Sequence, residues 1–267
     1  MTVKFCPIAS GSKGNCVYVG TKNTHILIDA GISGKRIQQG LNQLGIEGSK
    51  LDAIFITHEH SDHIKGAGIL SRRFDIPIFA TTETWNYMDR NNSLGAISQK
   101  NKMLVYKDEK IIMNDLLIRP FEIPHDGSEP VAYSIVANNY KLAVATDIGY
   151  ITDDIVENLA DLDILLIESN HDVEMLKNGS YPHYLKKRIL SKEGHLSNVC
   201  TGQLLVQIMN NKLKHVFLGH LSDENNSPFT ALTTVTDILE ANDVKVGKDD
   251  LNLYIACRDS NSEVLIL

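Results

Sequence analysis

Cysteine is scarce in this chain, and its spacing excludes the common roles of paired thiols. The 267 residues include four cysteines, and no two of them form a CxxC pair. A structural zinc site or a disulfide framework needs clustered or matched cysteines, so neither is predicted. We expect reduced thiols at Cys6, Cys16, Cys200 and Cys257.

Long apolar runs are also missing. No stretch approaches the roughly 20 apolar residues that a membrane-spanning helix needs. Residues 1–20 contain serine, glycine, lysine and asparagine where a signal peptide requires a continuous apolar segment. We therefore expect a cytoplasmic protein without a membrane anchor, which disfavours an enzyme that destroys drugs outside the cytoplasm.

Positive charge is in deficit as well. The chain has 26 Lys and Arg against 33 Asp and Glu, which gives a formal net charge of −7. Nucleic-acid-binding proteins contact phosphates through clustered Lys and Arg, so this balance weakens such a role. Lys186, Lys187 and Arg188 form one local exception. A phosphate contact and a solvated helix face are equally good interpretations of that cluster.

Apolar residues, by contrast, are plentiful enough for a large core. They make up 43% of the 267 residues, and we find no linker, repeat or low-complexity tract. Single-domain α/β chains of this length are common. We expect one catalytic domain over residues 1–267.

A dense group of metal-binding side chains follows the apolar segment 51–56. Residues 57–63 read Thr-His-Glu-His-Ser-Asp-His, and imidazoles and carboxylates are ligands that zinc and related ions accept in catalytic sites. His58 and His60, on one side of the strand end by the period of two, would hold one ion. Asp62 and His63 would reach a second ion. The alternative is a loop of exposed histidines, or a helix start at which Asp62 is the N-cap.

This HxHxDH pattern after an apolar strand resembles the signature of the metallo-β-lactamase superfamily. The resemblance implies three further ligands, each at a predicted strand end: His125 for the first ion, His220 for the second, and Asp147 as a bridge. It also implies the fold, an α/β four-layer αββα sandwich with the metals at one edge between two sheets. Asp29, in the first motif of that family, would support residues 57–63, here called the metal loop, through hydrogen bonds rather than bind an ion.

Further stretches resemble the YycJ/WalJ (VicX) group within that superfamily, and the resemblance runs through nearly the whole chain. It implies a DNA exonuclease, with 5′-to-3′ polarity and a role in DNA mismatch repair as the expectation. It also suggests a functional link to a cell-wall two-component system. The stretches are residues 9–16, 27–31, 167–172, 181–189, 194–198 and 220–226.

The apolar periodicity predicts strands that alternate with helices, an arrangement that puts helices outside packed sheets. Ser33 caps a helix that stops at Gly45, and residues 110–145 predict an antiparallel meander. The other predicted strands are 3–8, 16–20, 25–29, 51–57, 76–80, 164–168, 215–219 and 253–257, and the other predicted helices are 82–89, 152–159, 182–190, 197–211 and 228–242.

Two divalent ions with shared ligands match the hydrolysis of a phosphodiester. Such ions lower the pKa of a shared water and neutralise charge on the attacking and leaving oxygens. We expect a metal-bridging hydroxide near Asp147 to attack phosphorus. Zinc suits the imidazoles and manganese suits mixed nitrogen and oxygen sites, with iron or nickel as alternatives.

The departing oxygen needs a proton, and His195 is the candidate donor. It precedes a predicted helix and matches in order the additional histidine that nuclease members of the superfamily carry. Glu168, at a predicted strand end, would orient the His195 imidazole. Asp62, which also serves as a ligand, completes the predicted catalytic set. The other interpretation of His195 is a helix flank without chemistry.

Nine residues form the predicted substrate groove. The loop 10–15, rich in glycine and hydroxyls, would present backbone N–H groups to a phosphate, although such turns are common without a ligand. Tyrosines would stack on bases, although core packing suits them equally. The residues are Ser12, Asn15, Asn170, His171, Tyr181, Lys186, Lys187, Arg188 and Asn225.

Two other functions compete with a DNA exonuclease. A small-molecule phosphodiesterase, lactonase or thioesterase would share the HxHxDH element, and the acidic composition favours it, whereas the stretch around His195 does not. A regulatory partner of a two-component system would need no chemistry, yet a complete set of seven ligand positions argues for an enzyme. The sequence carries no feature that fixes the oligomeric state.

Overall fold

The computed structural model describes residues 2–247 and 250–267. Its strands form two seven-stranded sheets. The first sheet contains β1 (Lys4–Ala9), β2 (Cys16–Gly20), β3 (His25–Ile28), β4 (Ala53–Phe55), β5 (Ile78–Ala80), β6 (Lys102–Leu104) and β14 (Leu265–Ile266), in the order β14-β1-β2-β3-β4-β5-β6. The second contains β7 (Ile111–Met113), β8 (Leu116–Glu122), β9 (Val131–Ala137), β10 (Tyr140–Ala145), β11 (Ile164–Glu168), β12 (His215–Gly219) and β13 (Asn252–Ile255), in the order β13-β12-β11-β10-β9-β8-β7.

Each sheet combines an antiparallel part with a parallel part. β3 to β6 run parallel in the first sheet, and β10 to β13 run parallel in the second. The antiparallel meander predicted for residues 110–145 is confirmed, because β7 to β10 pair in that way. Since parallel strands end at the same edge of a sheet, the residues that follow them are brought close together.

The helices cover the outer faces of both sheets, so the predicted four-layer αββα sandwich is confirmed. The helix that Ser33 caps is also confirmed, since its hydroxyl accepts a hydrogen bond from the backbone N–H of Arg36. The helices are α1 (Gly34–Gln43), α2 (Ser61–Ile64), α3 (Ala67–Phe74), α4 (Thr82–Arg90), α5 (Asp153–Asn158), α6 (Val173–Asn178), α7 (His183–Ile189), α8 (Asn198–Ile208) and α9 (Pro228–Glu240).

Three apolar clusters separate these layers. The middle cluster lies between the sheets and includes Phe55 and Tyr133, whose rings meet edge to face with centroids 5.4 Å apart. The outer clusters lie under the helices and include Leu41 of α1 and Leu204 of α8. Each fully buried side chain of this size contributes about 1.5–3 kcal/mol. The Tyr133 hydroxyl also donates to the carbonyl of Ile56 at 2.8 Å, which ties the second sheet to the strand that leads into the HxHxDH run.

Two predictions concern the chain as a whole. Within residues 2–247 and 250–267, every helix falls short of the length and apolar character that crossing a bilayer requires. A single catalytic domain over residues 1–267 stays a prediction.

Candidate metal centre

Five strand ends from the two sheets bring polar side chains to one edge of the sandwich. Asp29 and His58 follow β3 and β4 of the first sheet, while Asp147, Glu168 and His220 lie at the ends of β10, β11 and β12 of the second. All five side chains are almost fully buried. The edge between the sheets therefore holds a compact group of imidazoles and carboxylates.

The first group of ligand-type atoms belongs to His58, His60 and His125. One ring nitrogen of each lies within 4.8 Å of the others, and the Nε2 atom of His58 lies 2.9 Å from Nδ1 of His60. His60 immediately precedes α2 and is its N-cap. The structure thus brings together the three histidines that the sequence assigns to a first ion.

The second group belongs to Asp62, His63 and His220, again with one atom of each within 4.8 Å of the others. Oδ2 of Asp62 lies 3.5 Å from Nε2 of His63 and 3.6 Å from Nε2 of His220. Asp62 and His63 lie on the single turn of α2. His58 and His60 come before this turn and Asp62 and His63 lie on it, so the HxHxDH run contributes side chains to both groups.

The Asp147 carboxylate lies between the two groups. Its Oδ2 atom is 3.3 Å from Nε2 of His63, and its Oδ1 atom is 3.4 Å from Nδ1 of His220 and 3.8 Å from Nε2 of His125. Asp147 is 2% exposed. A buried carboxylate that faces both groups has the placement of a bridging ligand.

The donor set and its electrostatics fit divalent cations. Buried Nε2 atoms of His125 and His220 and Oδ2 of Asp147 have no hydrogen bond of good geometry to any described residue, which is rare for buried polar atoms. Burial acts to raise the pKa of Asp147, but His220 and His63 hold it well below its usual value. Burial acts to lower the pKa of His220, but Asp147 and Asp62 raise it to about 10. The carboxylates thus favour positive charge here, which a metal ion supplies in place of protons.

Asp29 contacts the metal loop rather than the space between the two groups. Its Oδ2 atom accepts from Nδ1 of His63 at 2.7 Å, and its Oδ1 atom accepts from the backbone N–H of Thr57 at 2.9 Å. Nε2 of His63 is then left to face Asp62 and Asp147. Carboxylates behind ligand histidines commonly fix the ring orientation in this way.

His195 and Glu168 adjoin Asp147. Nδ1 of His195 lies 3.1 Å from Oε2 of Glu168 and 3.6 Å from Oδ1 of Asp147. The other Glu168 oxygen accepts from the backbone N–H groups of Ile148 and Leu196 at 2.6 and 2.9 Å. Burial acts to raise the pKa of Glu168, but His195 and His220 bring it down to about 2. Glu168 is thus an anion that holds Nδ1 of His195, which leaves Nε2 of that ring for another partner.

Comparison with known proteins agrees with this geometry. Residues 24–220 match the model of the β-lactamase superfamily domain. Exodeoxyribonuclease YycJ of Bacillus anthracis is 38% identical over 248 residues, 93% of either chain. Exodeoxyribonuclease WalJ of Streptococcus pneumoniae serotype 2 is 39% identical over 246 residues, 92% of this chain and 91% of that protein. The chain belongs to the metallo-β-lactamase superfamily and its YycJ/WalJ group.

A solved structure shows the same fold. The metallo-β-lactamase fold protein YhfI from Bacillus subtilis superposes with a TM-score of 0.74 at 14% sequence identity, and the match covers 100% of both chains. At this identity the likeness concerns the fold alone.

The site is open to solvent on the side of His60, Asp62 and Asp126, which we call the metal-site opening. The side chains of His60, Asp62 and Asp126 are 32%, 23% and 27% exposed, whereas His58 and His63 are fully buried. Asp126 was missed by the sequence analysis. Its Oδ1 atom lies 3.2 Å from Nε2 of His125, and the signal that could have found it is its position directly after that histidine.

Two parts of the predicted substrate groove adjoin this opening. Nδ2 of Asn15 lies 3.1 Å from Nε2 of His63, so the loop that carries the exposed Ser12 borders the second group of ligand-type atoms. On the side of the first group, Nε and Nη2 of Arg188 each lie 2.6 Å from Oδ2 of Asp126. The cationic Arg188 and the loop that carries the Ser12 hydroxyl therefore flank the metal-site opening on two sides.

The other predicted groove residues differ in whether side-chain hydrogen bonds within the protein hold them. The Lys186 ammonium donates to the carbonyls of Lys177 and Gly179 at 2.8 and 2.7 Å, so it joins α6 to α7, whereas Lys187 is exposed and Tyr181 is half-buried. Nδ2 of Asn170 donates to the carbonyl of His220 at 2.9 Å. The buried side chains of His171 and Asn225 have no hydrogen-bond partner among the described residues. Substrate binding by these residues stays a prediction.

Proposed function

We propose that this protein is a metal-dependent phosphodiesterase that binds two divalent ions and degrades DNA from an end. The observation that carries the proposal is the buried Asp147 carboxylate between two groups of ligand-type atoms, with His195 beside it. The names of the YycJ and WalJ relatives, both exodeoxyribonucleases, support DNA as the substrate. We further propose 5′-to-3′ polarity and a role in DNA mismatch repair, as the resemblance to that group implies.

The ligands we propose are the seven side chains that form the two groups and their bridge. A first ion would bind to His58, His60 and His125, a second to Asp62, His63 and His220, and Asp147 would contact both. Bound ions of this kind activate water and neutralise the charge of a phosphate. Imidazole and carboxylate donors suit zinc or manganese, with iron or nickel as alternatives.

The remaining steps belong to the protein's own side chains. Glu168 holds Nδ1 of His195, which fixes the ring so that Nε2 points away from that carboxylate and is free to give a proton to the departing oxygen. Arg188 has five N–H donors, and those not engaged by Asp126 are available for a neighbouring phosphate. Asp29 keeps His63 in its orientation through the 2.7 Å hydrogen bond.

The test is release of nucleotides from end-labelled single-stranded and duplex DNA, with Mn²⁺ or Zn²⁺ supplied. Wild type should release nucleotides stepwise from one end, and a double variant with Asp147→Ala and His220→Ala should not. The matched control carries Asp153→Ala and His215→Ala. Asp153 is exposed at the start of α5, and His215 begins the strand whose far end precedes His220.

One outcome would show that the variants do not test the metal centre, and another would contradict the proposal. Equal loss of activity in the control would attribute the effect to misfolding rather than to the metal centre. No release from DNA together with brisk cleavage of a small phosphodiester or ester would assign the protein to the small-molecule hydrolases, which the net charge of −7 favours.

A further inference from the structure

A cavity of about 270 Å³ lies directly beside the metal centre. His195 borders it, and the same side chain faces Asp147. The mouth is formed by Tyr150 and Leu190, which are 44% and 49% exposed. Ile151 and Cys200 line its walls, and the fully buried His171 lines its inner part. The cavity is thus open to solvent at one end and shares a side chain with the reacting groups.

The His171 imidazole has no partner that explains its burial. It is 1% exposed, and neither ring nitrogen has a hydrogen bond to any residue in the described ranges. The backbone of His171 is held by hydrogen bonds. Its carbonyl accepts from the N–H of Asn198 at 2.9 Å, and His171 forms an isolated β-bridge with Ser197. The neighbouring Ser169 side chain is also satisfied, since it donates to Asn198 at 2.6 Å. An unpartnered imidazole in this otherwise satisfied loop calls for a polar group from outside the protein.

The lining of the cavity favours one class of ligand. Aliphatic and thiol side chains line the cavity, the aromatic ring of Tyr150 lies at its mouth, and the His171 imidazole, which can donate and accept, lies in its inner part. A nucleobase has matching properties, namely an apolar face that stacks and an edge that carries donors and acceptors. The volume is just below the roughly 300–1,000 Å³ of sites for drug-sized molecules, so it suits a single base. Nζ of Lys192 lies 5.6 Å from the Tyr150 ring centre and places positive charge where a sugar–phosphate would enter.

We propose that this cavity binds the base of the nucleotide that leaves during each cleavage, with His171 hydrogen-bonded to the base edge and Tyr150 beside its face. The inference rests on the proposed exonuclease function. His195 borders both the cavity and Asp147, so the group whose oxygen receives its proton is the group that enters the cavity. In 5′-to-3′ digestion that leaves the phosphate on the shortened strand, this group is the 5′-terminal nucleotide.

The first experiment compares two single-stranded oligonucleotides, one with thymidine and one with an abasic residue at the terminus that is released first. Wild type should release the abasic residue about 10-fold more slowly at subsaturating substrate, because the contribution of one stacked base is lost. Leu190→Trp, which fills the mouth, and His171→Phe, which removes the ring nitrogens, should handle both substrates within twofold of each other. Ile112→Trp places the same large ring at an exposed site on β7 and should keep the wild-type ratio.

A second readout does not depend on hydrolysis. Calorimetry of the metal-loaded protein should detect thymidine 5′-monophosphate at a Kd about 10-fold lower than that of deoxyribose 5-phosphate, and Leu190→Trp should remove the difference. Because Leu190 is at the mouth, this variant remains informative if His171→Phe fails to fold. Equal wild-type rates for the two oligonucleotides, or equal affinities for the two small phosphates, would overturn the cavity assignment. Selective binding of the thymidine compound without any release from DNA would instead overturn the exonuclease function and leave the cavity as a nucleotide site.

Discussion

Three side chains of the metal centre depend on an uncommon backbone conformation. Asp29, Asp147 and His220 have φ angles of 59°, 62° and 51°, in the left-handed region that L-residues rarely adopt. Asp29 and His220 directly follow β3 and β12, and Asp147 comes two residues after the end of β10, so the left-handed step turns each side chain into the edge between the sheets. Backbone strain of about 1–3 kcal/mol per residue is typical of functional sites and needs support from the surroundings. The backbone N–H of His220 donates to the Ser10 hydroxyl at 2.9 Å, which is one such support.

A substitution of His195 tests whether this side chain donates a proton or binds a metal ion. His195→Ala should lower kcat by about 100- to 10,000-fold, the usual effect of losing a general acid. Bound metal, measured by elemental analysis after gel filtration, should stay as in wild type. His125→Ala is the comparison, and it should lose metal and activity together. Parallel loss of metal in both variants would make His195 a ligand.

The sequence predicts the composition of the site better than its contacts. The histidines and carboxylates at strand ends were predictable because the period of a strand and the order of motifs fix where they emerge. The contacts of the Thr57 hydroxyl, which lies 3.0 Å from Nδ1 of His58 and 3.2 Å from Nδ1 of His63, were not predictable from the sequence. The pairing of Arg188 with Asp126 was also missed, since it joins residues 62 positions apart through tertiary folding.

At the scale of elements, the metal loop depends on a close approach between two chain segments. Gly31 follows β3, and a Cβ atom at this position would overlap the backbone carbonyl of Asp62 in α2. Two hydrogen bonds support the approach: the N–H of Ala30 donates to the carbonyl of His63, and the N–H of Asn15 donates to that of Asp62, both at 2.8 Å. The turn that presents Asp62 and His63 is therefore held by the segments after β1 and β3.

Gly31→Ala should weaken metal binding because the methyl group displaces the α2 turn. We expect a loss of stability of about 1–3 kcal/mol from overpacking and a fall in metal affinity of about 10- to 100-fold. Urea unfolding and chelator competition measure the two effects. Gly45→Ala is the matched control, since Gly45 has a φ of 76° with no atom near the added Cβ. It should cost about 1 kcal/mol through strain alone and leave metal affinity unchanged; equal metal loss in both would contradict the displacement.

Element types were predictable, but several bounds and short elements were not. The strand predicted over 51–57 extends only from Ala53 to Phe55, because pairing with β3 and β5 defines it rather than its apolar run. The helices α3 and α6 had no prediction. Glycine at the N-cap of α3, Gly66, and the six-residue length of α6 weaken the periodic signal on which a sequence-based assignment depends. The edge strands β6 and β14 were missed because three and two residues carry little pattern.

For the whole molecule, the net charge of −7 bears on how the proposed DNA substrate would be held. General attraction to the phosphate backbone is weak for such a surface, so the proposed binding would depend on a few cations near the metal-site opening and on the proposed metal ions. Arg188 is the best placed of these, since its side chain is 46% exposed and bound to Asp126 at the opening. On the opposite side, Lys13 and Arg258 both pair with Asp223.

The dependence of KM on salt tests this view. Arg188→Gln should raise the KM for DNA and reduce the slope of log KM against log salt concentration by about one, as expected for one lost phosphate contact. Lys22→Gln removes the same charge from an exposed turn between β2 and β3 and should leave the slope unchanged. Loss of Arg188 also leaves the Asp126 carboxylate without its guanidinium partner at the metal-site opening, where its charge would repel DNA. Adding Asp126→Asn to the Arg188 variant removes this repulsion, so the slope should stay reduced if Arg188 contacts a phosphate, and return to the wild-type value if its sole effect is to neutralise Asp126.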